Sequence, residues 1–208
     1  MFAFRKMALD ESAAETRIEG FEEPSDWSRD GWMAGTRASE ATKGRKIQVG
    51  PANGGERVNL TNTPGSEAAA RFSPDSKWVA YSSDETGRSE IYVRPFPGHA
   101  DSSPARVQIS DNGGEYPMWN ETGAELYYLS AGDMVFAVNT RALAMGNVAA
   151  PAPLFKACPQ SQPGTRPMEG MPYMYPLDTR DGQRFVVACL VDRPTEYTVL
   201  MNWAGISR

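Results

Sequence analysis

The one histidine of the 208-residue chain, His99, stands in Pro97-Gly98-His99-Ala100-Asp101-Ser102-Ser103, which puts a base, a carboxylate and a hydroxyl on one short stretch. A nucleophilic triad is assembled from separated elements, and three neighbours on one loop cannot easily reproduce its geometry. His99 therefore reads as a solvated loop residue. Metal ligation by His99 and Asp101 lacks further ligands at a recognisable spacing. No Gly-x-Ser-x-Gly elbow is present, so the chain carries no α/β-hydrolase nucleophile. Cys158 and Cys189 are the only cysteines, too few for a metal cluster or a disulfide framework; they could pair if the fold brings them together, but two buried free thiols is the simpler reading. Three aspartates, Asp30, Asp75 and Asp181, recur at one place in a repeated pattern. A shared calcium or catalytic role would need that recurrence, but an Asx side chain stabilising a tight turn explains it more simply.

The pattern that positions these aspartates is clearest from Phe72 to Phe96. Ser73-Pro74-Asp75-Ser76 presets a tight reversal, because Pro fixes φ at the second turn position and Asp bonds its own downstream backbone. Lys77 to Ser82 then carries apolar groups on both faces, as a strand buried on both sides requires. Asp84-Glu85-Thr86-Gly87-Arg88 is a Gly-containing connection of hairpin length, and Ile91 to Phe96 is the next strand, stopped by Pro95 and Pro97. Two hairpins in succession make an antiparallel meander.

Copies of this unit flank it. Aligning Trp27, Phe72, Trp119 and Asp178 gives spacings of 45, 47 and 59 residues, and repeats of this length with four short strands each are expected to be β-propeller blades. The fold expected is all-β: a partial or small propeller of about four blades, each a four-stranded antiparallel meander, spanning 24–66, 67–112, 113–157 and 171–208. The first copy is degenerate. Trp32-Met33-Ala34-Gly35-Thr36-Arg37 lacks β-branched residues except Thr36, and Gly35 weakens it as a strand. Residues 158–170 are a Pro/Gly-rich loop, and 1–23 an acidic, weakly structured segment with room for a short helix over Leu9 to Glu15.

Composition bounds the function classes. Gly 19 and Pro 16 are spread along the chain, which favours many short elements joined by turns. The net charge of −5 and pI near 5.0 weigh against nucleic acid and anionic membranes as partners. No apolar run approaches the length of a membrane span, and Met1 to Leu9 is too short and interrupted for the apolar core of a signal peptide.

Phe72-Ser73-Pro74-Asp75, the stretch from Asp84 to Gly98, Asp181-Gly182-Gln183-Arg184-Phe185 and the closing Thr198-Val199-Leu200-Met201-Asn202-Trp203 resemble the TolB-like β-propeller repeats, more narrowly the C-terminal propellers found behind bacterial serine/threonine protein kinase domains and winged-helix regulators. The resemblance runs from Pro24 to Arg208 and is specific from Phe72 onward. Ser76 stands where the family's turn usually has Gly, and Asn120-Glu121-Thr122-Gly123 has lost the Pro-Asp pair. Kinase signatures are absent, so any kinase activity implied by the resemblance belongs to a domain outside this chain. In the resembling kinases the propeller lies outside the cytoplasm behind a membrane span; a chain complete as written is expected in the cytoplasm.

The function expected is a non-catalytic module that binds a protein or peptide, the sensor or scaffold end of a signalling protein. No cofactor or metal is implied. Propellers bind at the two faces where loops gather. The candidate contact residues are Tyr116 and Tyr173, near strand starts that approach a central mouth, and Met168 and Met171 in the Pro/Gly-rich loop, where methionine adapts to varied surfaces. The alternative is a hydrolase or lyase acting at the mouth, which predicts clustered carboxylates or a metal there. The last copy ends without an obvious fourth strand and Met1 to Arg5 is a poor candidate to supply it, so an open arc or a fragment of a longer protein is expected. Removing residues 1–23 should then barely change the melting temperature.

Overall fold

Asp75 shows at once why the chain turns where it does. In the computed structural model, its Oδ1 accepts the Ser73 hydroxyl at 2.6 Å and the Lys77 amide at 3.2 Å, while Ser73 Oγ accepts the Trp78 amide at 3.0 Å. The reversal places Phe72 opposite Val79 and starts an antiparallel ladder. The structure describes residues 4–6, 16–18, 22–41, 43–96, 106–157, 177–179, 181–187 and 198–200. His99, Asp101, Ser102, Cys158, Cys189, Met168, Met171 and Tyr173, the helix considered over 9–15 and the loop 158–170 lie outside them.

Four antiparallel sheets follow one another along the chain. The first holds β3 (Glu23–Trp27), β4 (Trp32–Ser39), β5 (Gly44–Pro51) and β6 (Val58–Asn59); the second β7 (Glu67–Phe72), β8 (Trp78–Ser83), β9 (Glu90–Pro95) and β10 (Val107–Gln108). The third holds β11 (Glu115–Trp119), β12 (Glu125–Leu129), β13 (Met134–Asn139) and β14 (Ala152–Lys156), with a single 3-10 turn at Leu143–Met145 before β14. The fourth has β15 (Leu177–Thr179), β16 (Phe185–Val187) and β17 (Thr198–Leu200). Within each sheet the strands are in sequence order, as consecutive hairpins require. β1 (Phe4–Lys6) and β2 (Thr16–Ile18) pair with each other as a separate hairpin, so β1 does not extend the fourth sheet. The segment 1–23 is expected from its sequence to be weakly structured, and the pairing of β1 with β2 is not announced there.

The sheets stack face to face through their apolar sides. Ala34, Ile47, Val49 and Leu60 of the first sheet pack on Ala70, Phe72, Val79, Tyr81, Tyr92 and Phe96 of the second. Trp78, Ala80, Ile91 and Val93 on the opposite face of the second sheet meet Trp119, Leu126, Tyr128 and Val138 of the third. Tyr127, Leu129 and Val135 of the third meet Phe185 and Val187 of the fourth. The central sheets are thus covered on both faces, which is why β8 is buried at every position.

The degenerate first copy is nevertheless a full four-stranded sheet. β4 and β5 are eight residues each and pair along their whole length. The reason is one-sided: the alternate residues Ala34, Thr36, Ile47 and Val49 face the second sheet and are buried. Weak strand formers sit on the other face. Gly35 pairs with Gln48 at the register where the next two sheets carry stacked aromatics, Tyr81 with Tyr92 at 6.0 Å and Tyr128 with Phe136 at 5.4 Å. A face that carries no aromatic layer has no need of β-branched side chains.

The first strands share a distortion. The ladders shift register between Pro24 and Asp26, Ala68 and Arg71, and Glu115 and Met118, one bulge in the first strand of each of the first three sheets. Ala69 and Tyr116 occupy equivalent places in two of them with φ of 55° and 54°, a left-handed conformation that costs a non-glycine residue on the order of 1 kcal/mol.

Candidate functional site at the propeller mouth

The first strands β3, β7, β11 and β15 are neighbours in space, and the turns that follow them gather at one end. There the residues around the repeated aromatic enclose a cavity of about 400 Å³, lined by Asp26 to Arg29, Arg71 to Pro74, Met118 to Glu121, Asp178 and Thr179. The first three sheets contribute the same four repeat positions, and the fourth contributes two of them. The site is therefore a product of the internal repeat, with its chemistry set by how each copy differs.

The residue before each aromatic stitches one sheet to the next. Asp26 accepts the Phe72 amide at 2.7 Å and lies 3.5 Å from the Arg71 guanidinium. The Arg71 carbonyl accepts the indole N–H of Trp119 at 3.1 Å, and Met118 Sδ accepts the Thr179 amide at 2.9 Å. These links fix the rim of the cavity, because each crosses from one sheet to its successor. Beyond them stand the exposed Arg29, Glu121 and Asp178. The mouth combines three aromatic side chains, Trp27, Phe72 and Trp119, with a thioether, an ion pair and charges of both signs. Such a surface can bind by hydrogen bonds and stacking.

The turns themselves are pinned by a repeated network. Ser28 Oγ donates to Asp30 Oδ1 at 2.5 Å and accepts the Trp32 amide at 2.9 Å. Asn120 Oδ1 accepts the Thr122 hydroxyl and the Glu125 amide in the third copy. In the fourth, Thr179 Oγ1 accepts the Gly182 amide, and Asp181 accepts the amides of Gln183 and Arg184 and the Arg184 guanidinium at 2.7 Å. The Arg184 hydrogen bond, with the two amides, holds the Asp181 carboxyl at about 2, below its usual value. The fifth turn position has φ of 88°, 56°, 73° and 68° at Gly31, Ser76, Gly123 and Gly182. Ser76 alone has a side chain there, and its hydroxyl crosses to Asp30 of the first sheet at 2.8 Å. The recurring aspartates stabilise turns, and Asp30 also ties two sheets together.

No family model matches the sequence, and no curated protein does. Solved structures do. TolB from Acinetobacter baumannii superposes with a TM-score of 0.51 at 20% identity, over 83% of this chain and 41% of that one. A chain of the nidogen/laminin complex superposes with a TM-score of 0.53 at 16% identity, over 85% of this chain and 60% of the other. The fold is that of a TolB-like β-propeller. The four sheets are its blades, and the cavity is the central mouth of the propeller arc. This chain spans 41% to 60% of the length of those two propellers.

Of the expected contact residues, Tyr116 is within the described propeller. It stands at the left-handed position of the β11 bulge, half-buried, with its ring packed against the core between the third and fourth blades. It is three residues from Trp119 along the same inner strand. Sequence reasoning did not single out Asp26, Arg29, Arg71, Met118, Glu121 or Asp178 as site residues. The signal was available in the repeat alignment: the positions on either side of each aligned aromatic are the ones that converge. Among the described residues no group of three or more His, Cys, Asp or Glu side chains could hold a metal ion.

Proposed function

We propose that this chain is a non-catalytic β-propeller module that binds a protein or peptide through the mouth. The observation that carries the reading is the convergence of four repeat copies on one cavity whose side chains are already hydrogen-bonded from blade to blade. A preorganised rim loses little side-chain entropy on binding. The nidogen/laminin structure supports the reading by showing a propeller of this fold within a complex. The setting we propose is the sensor or scaffold end of a larger bacterial signalling protein, such as a serine/threonine kinase, as the sequence resemblance implies.

A photo-crosslinking residue placed at Asn120, in the mouth, and at Gln108, on the outermost strand of the second blade, tests the site in source cells. The expected result is a discrete protein adduct from Asn120 alone that disappears on Arg71→Ala. Equal adducts from both positions would overturn it. An immunoblot raised against residues 197–208 tests the setting: a band several times larger than 22.8 kDa supports it and a band near 22.8 kDa contradicts it.

One observation favours the second reading, a hydrolase or lyase at the mouth: carboxylates of Asp26, Glu121 and Asp178 line the cavity. That reading predicts turnover of the captured ligand, lost on Asp26→Asn. A ligand recovered with unchanged mass after long incubation contradicts it.

A further inference from the structure

The joint between the third and fourth blades differs in kind from the joint between the first and second. At the repeat position just before the aligned aromatic, Asp26 of the first blade accepts the Phe72 amide of the second at 2.7 Å through a carboxylate. Met118, at the same position of the third blade, accepts the Thr179 amide of the fourth at 2.9 Å through its thioether sulfur. Sulfur is the weaker acceptor, so the exchange of residue gives up strength at this place. It adds a property that a carboxylate does not have, since a thioether can be oxidised. Met118 is 6% and Thr179 9% exposed, yet both line the mouth cavity of about 400 Å³, which a molecule the size of a peroxide can enter. Thr179 is also the residue that pins the fourth turn: its hydroxyl donates to the Arg184 carbonyl at 2.6 Å and accepts the Gly182 amide at 3.1 Å.

We propose that Met118 is a site of oxidation by a hydroperoxide, and that its oxidation opens the joint between the third and fourth blades at the mouth. A sulfur lone pair attacks one oxygen of the peroxide, the O–O bond breaks, that oxygen stays on sulfur, and its proton passes to the departing hydroxide, which leaves as water. Sulfur gives up two electrons and the peroxide takes them. The sulfoxide is more polar than the thioether and larger by one oxygen, and the 2.9 Å contact between the Thr179 nitrogen and the sulfur leaves no room for an oxygen between them. The Thr179 amide then loses its acceptor while it remains buried, a cost that a rearrangement of β15 and its turn relieves. Asp178, which lines the mouth next to Thr179, moves with it. The proposal stands on this joint and not on what the mouth binds.

The test is a timed exposure of the full chain to hydrogen peroxide, with each methionine sulfoxide located by peptide mass mapping and the Thr179 amide followed by hydrogen exchange in NMR spectra. Met145, 74% exposed, is the internal reference for an open thioether. Met118 should be oxidised more slowly than Met145, at a rate that urea concentrations below the unfolding transition leave unchanged, as entry through the mouth requires. Thr179 exchange should quicken about tenfold in proportion to the Met118 sulfoxide, the scale of one lost hydrogen bond, while the Phe72 amide on Asp26 keeps its protection. In Met118→Leu, a swap of similar volume, the Thr179 amide should exchange fast from the start and gain nothing from peroxide. A Met118 oxidation rate that climbs with urea in step with global unfolding, or a Met118 sulfoxide that leaves Thr179 exchange unchanged, would overturn the site. So would a Met118→Leu chain whose Thr179 amide is as well protected as in the unmodified protein.

Discussion

Lys46 and Glu67 are almost completely buried between the first two blades, 3.2 Å apart, and Glu67 also accepts the hydroxyls of Thr61, at 3.0 Å, and Thr63. The equivalent place between the second and third blades holds Glu90, which takes the Ser110 hydroxyl, the Gly113 amide at 3.0 Å and Arg88 at 2.6 Å. Glycines at 113 and 114 stand where the earlier interface has Glu67, and a side chain at Gly114 would collide with Ser110 and Ile91. Each interface thus satisfies its own buried charge. Removing one partner of a buried pair strands the other, so Glu67→Gln should destabilise the chain by about 3 kcal/mol in chemical denaturation, while replacing both Lys46 and Glu67 by apolar residues of similar size should cost far less. Gly182→Ala is a second residue-scale case. The new Cβ would stand 2.2 Å from the Tyr127 hydroxyl at a φ of 68°, and the combined strain and overpacking should cost about 2 to 3 kcal/mol. Tyrosines in the interfaces give a pH signature. Burial raises the Tyr81 and Tyr92 hydroxyls and pushes Tyr128 up to about 12, with the charges of Asp111 and Glu90 adding to the last. The unfolded chain loses these protons near the usual tyrosine value of 10, so stability should be unaffected below that pH and fall as pH rises from 10 toward 12. Tyr128→Phe should flatten that decline in melting temperature, and an unchanged slope would contradict the assignment.

At the scale of the element, the turn after each first strand is the unit that the repeat preserves, and it shows what the sequence made legible. Ser73-Pro74-Asp75-Ser76 announced both its reversal and its Asx bonding, and the alternation from Lys77 onward announced β8. The strands of the first blade were under-read, because β4 draws its stability from one face packed on the second blade, and single-sequence propensity cannot see that face. The mouth was partly legible: the repeat alignment contained its positions, but which of them converge depends on how the blades stack. The same turn supplies a test. Ser76→Gly relieves a left-handed serine, worth about 1 kcal/mol, and loses the hydroxyl bond to Asp30, worth about the same, so its net effect on stability should be within about 0.5 kcal/mol. Ser76→Ala loses the bond and keeps the strain, and should cost about 1 kcal/mol. A clear stabilisation by Ser76→Gly would mean that the bond between the blades contributes little.

At the scale of the whole molecule, four copies of one turn converge, and the differences among the copies give the mouth its chemistry. Trp27, Phe72, Trp119 and Asp178 occupy one repeat position, yet the first and last of them meet solvent while the middle two are buried between blades. We propose that this convergence is a binding surface. Hydrogen exchange of the chain with and without the crosslink-identified partner is the decisive measurement. Binding at the mouth should slow exchange at residues 26–29, 71–74 and 118–121 and leave the outer strands β6, β10 and β14 unchanged. Slowing confined to those outer strands, with the three inner segments exchanging as in the free chain, would contradict it.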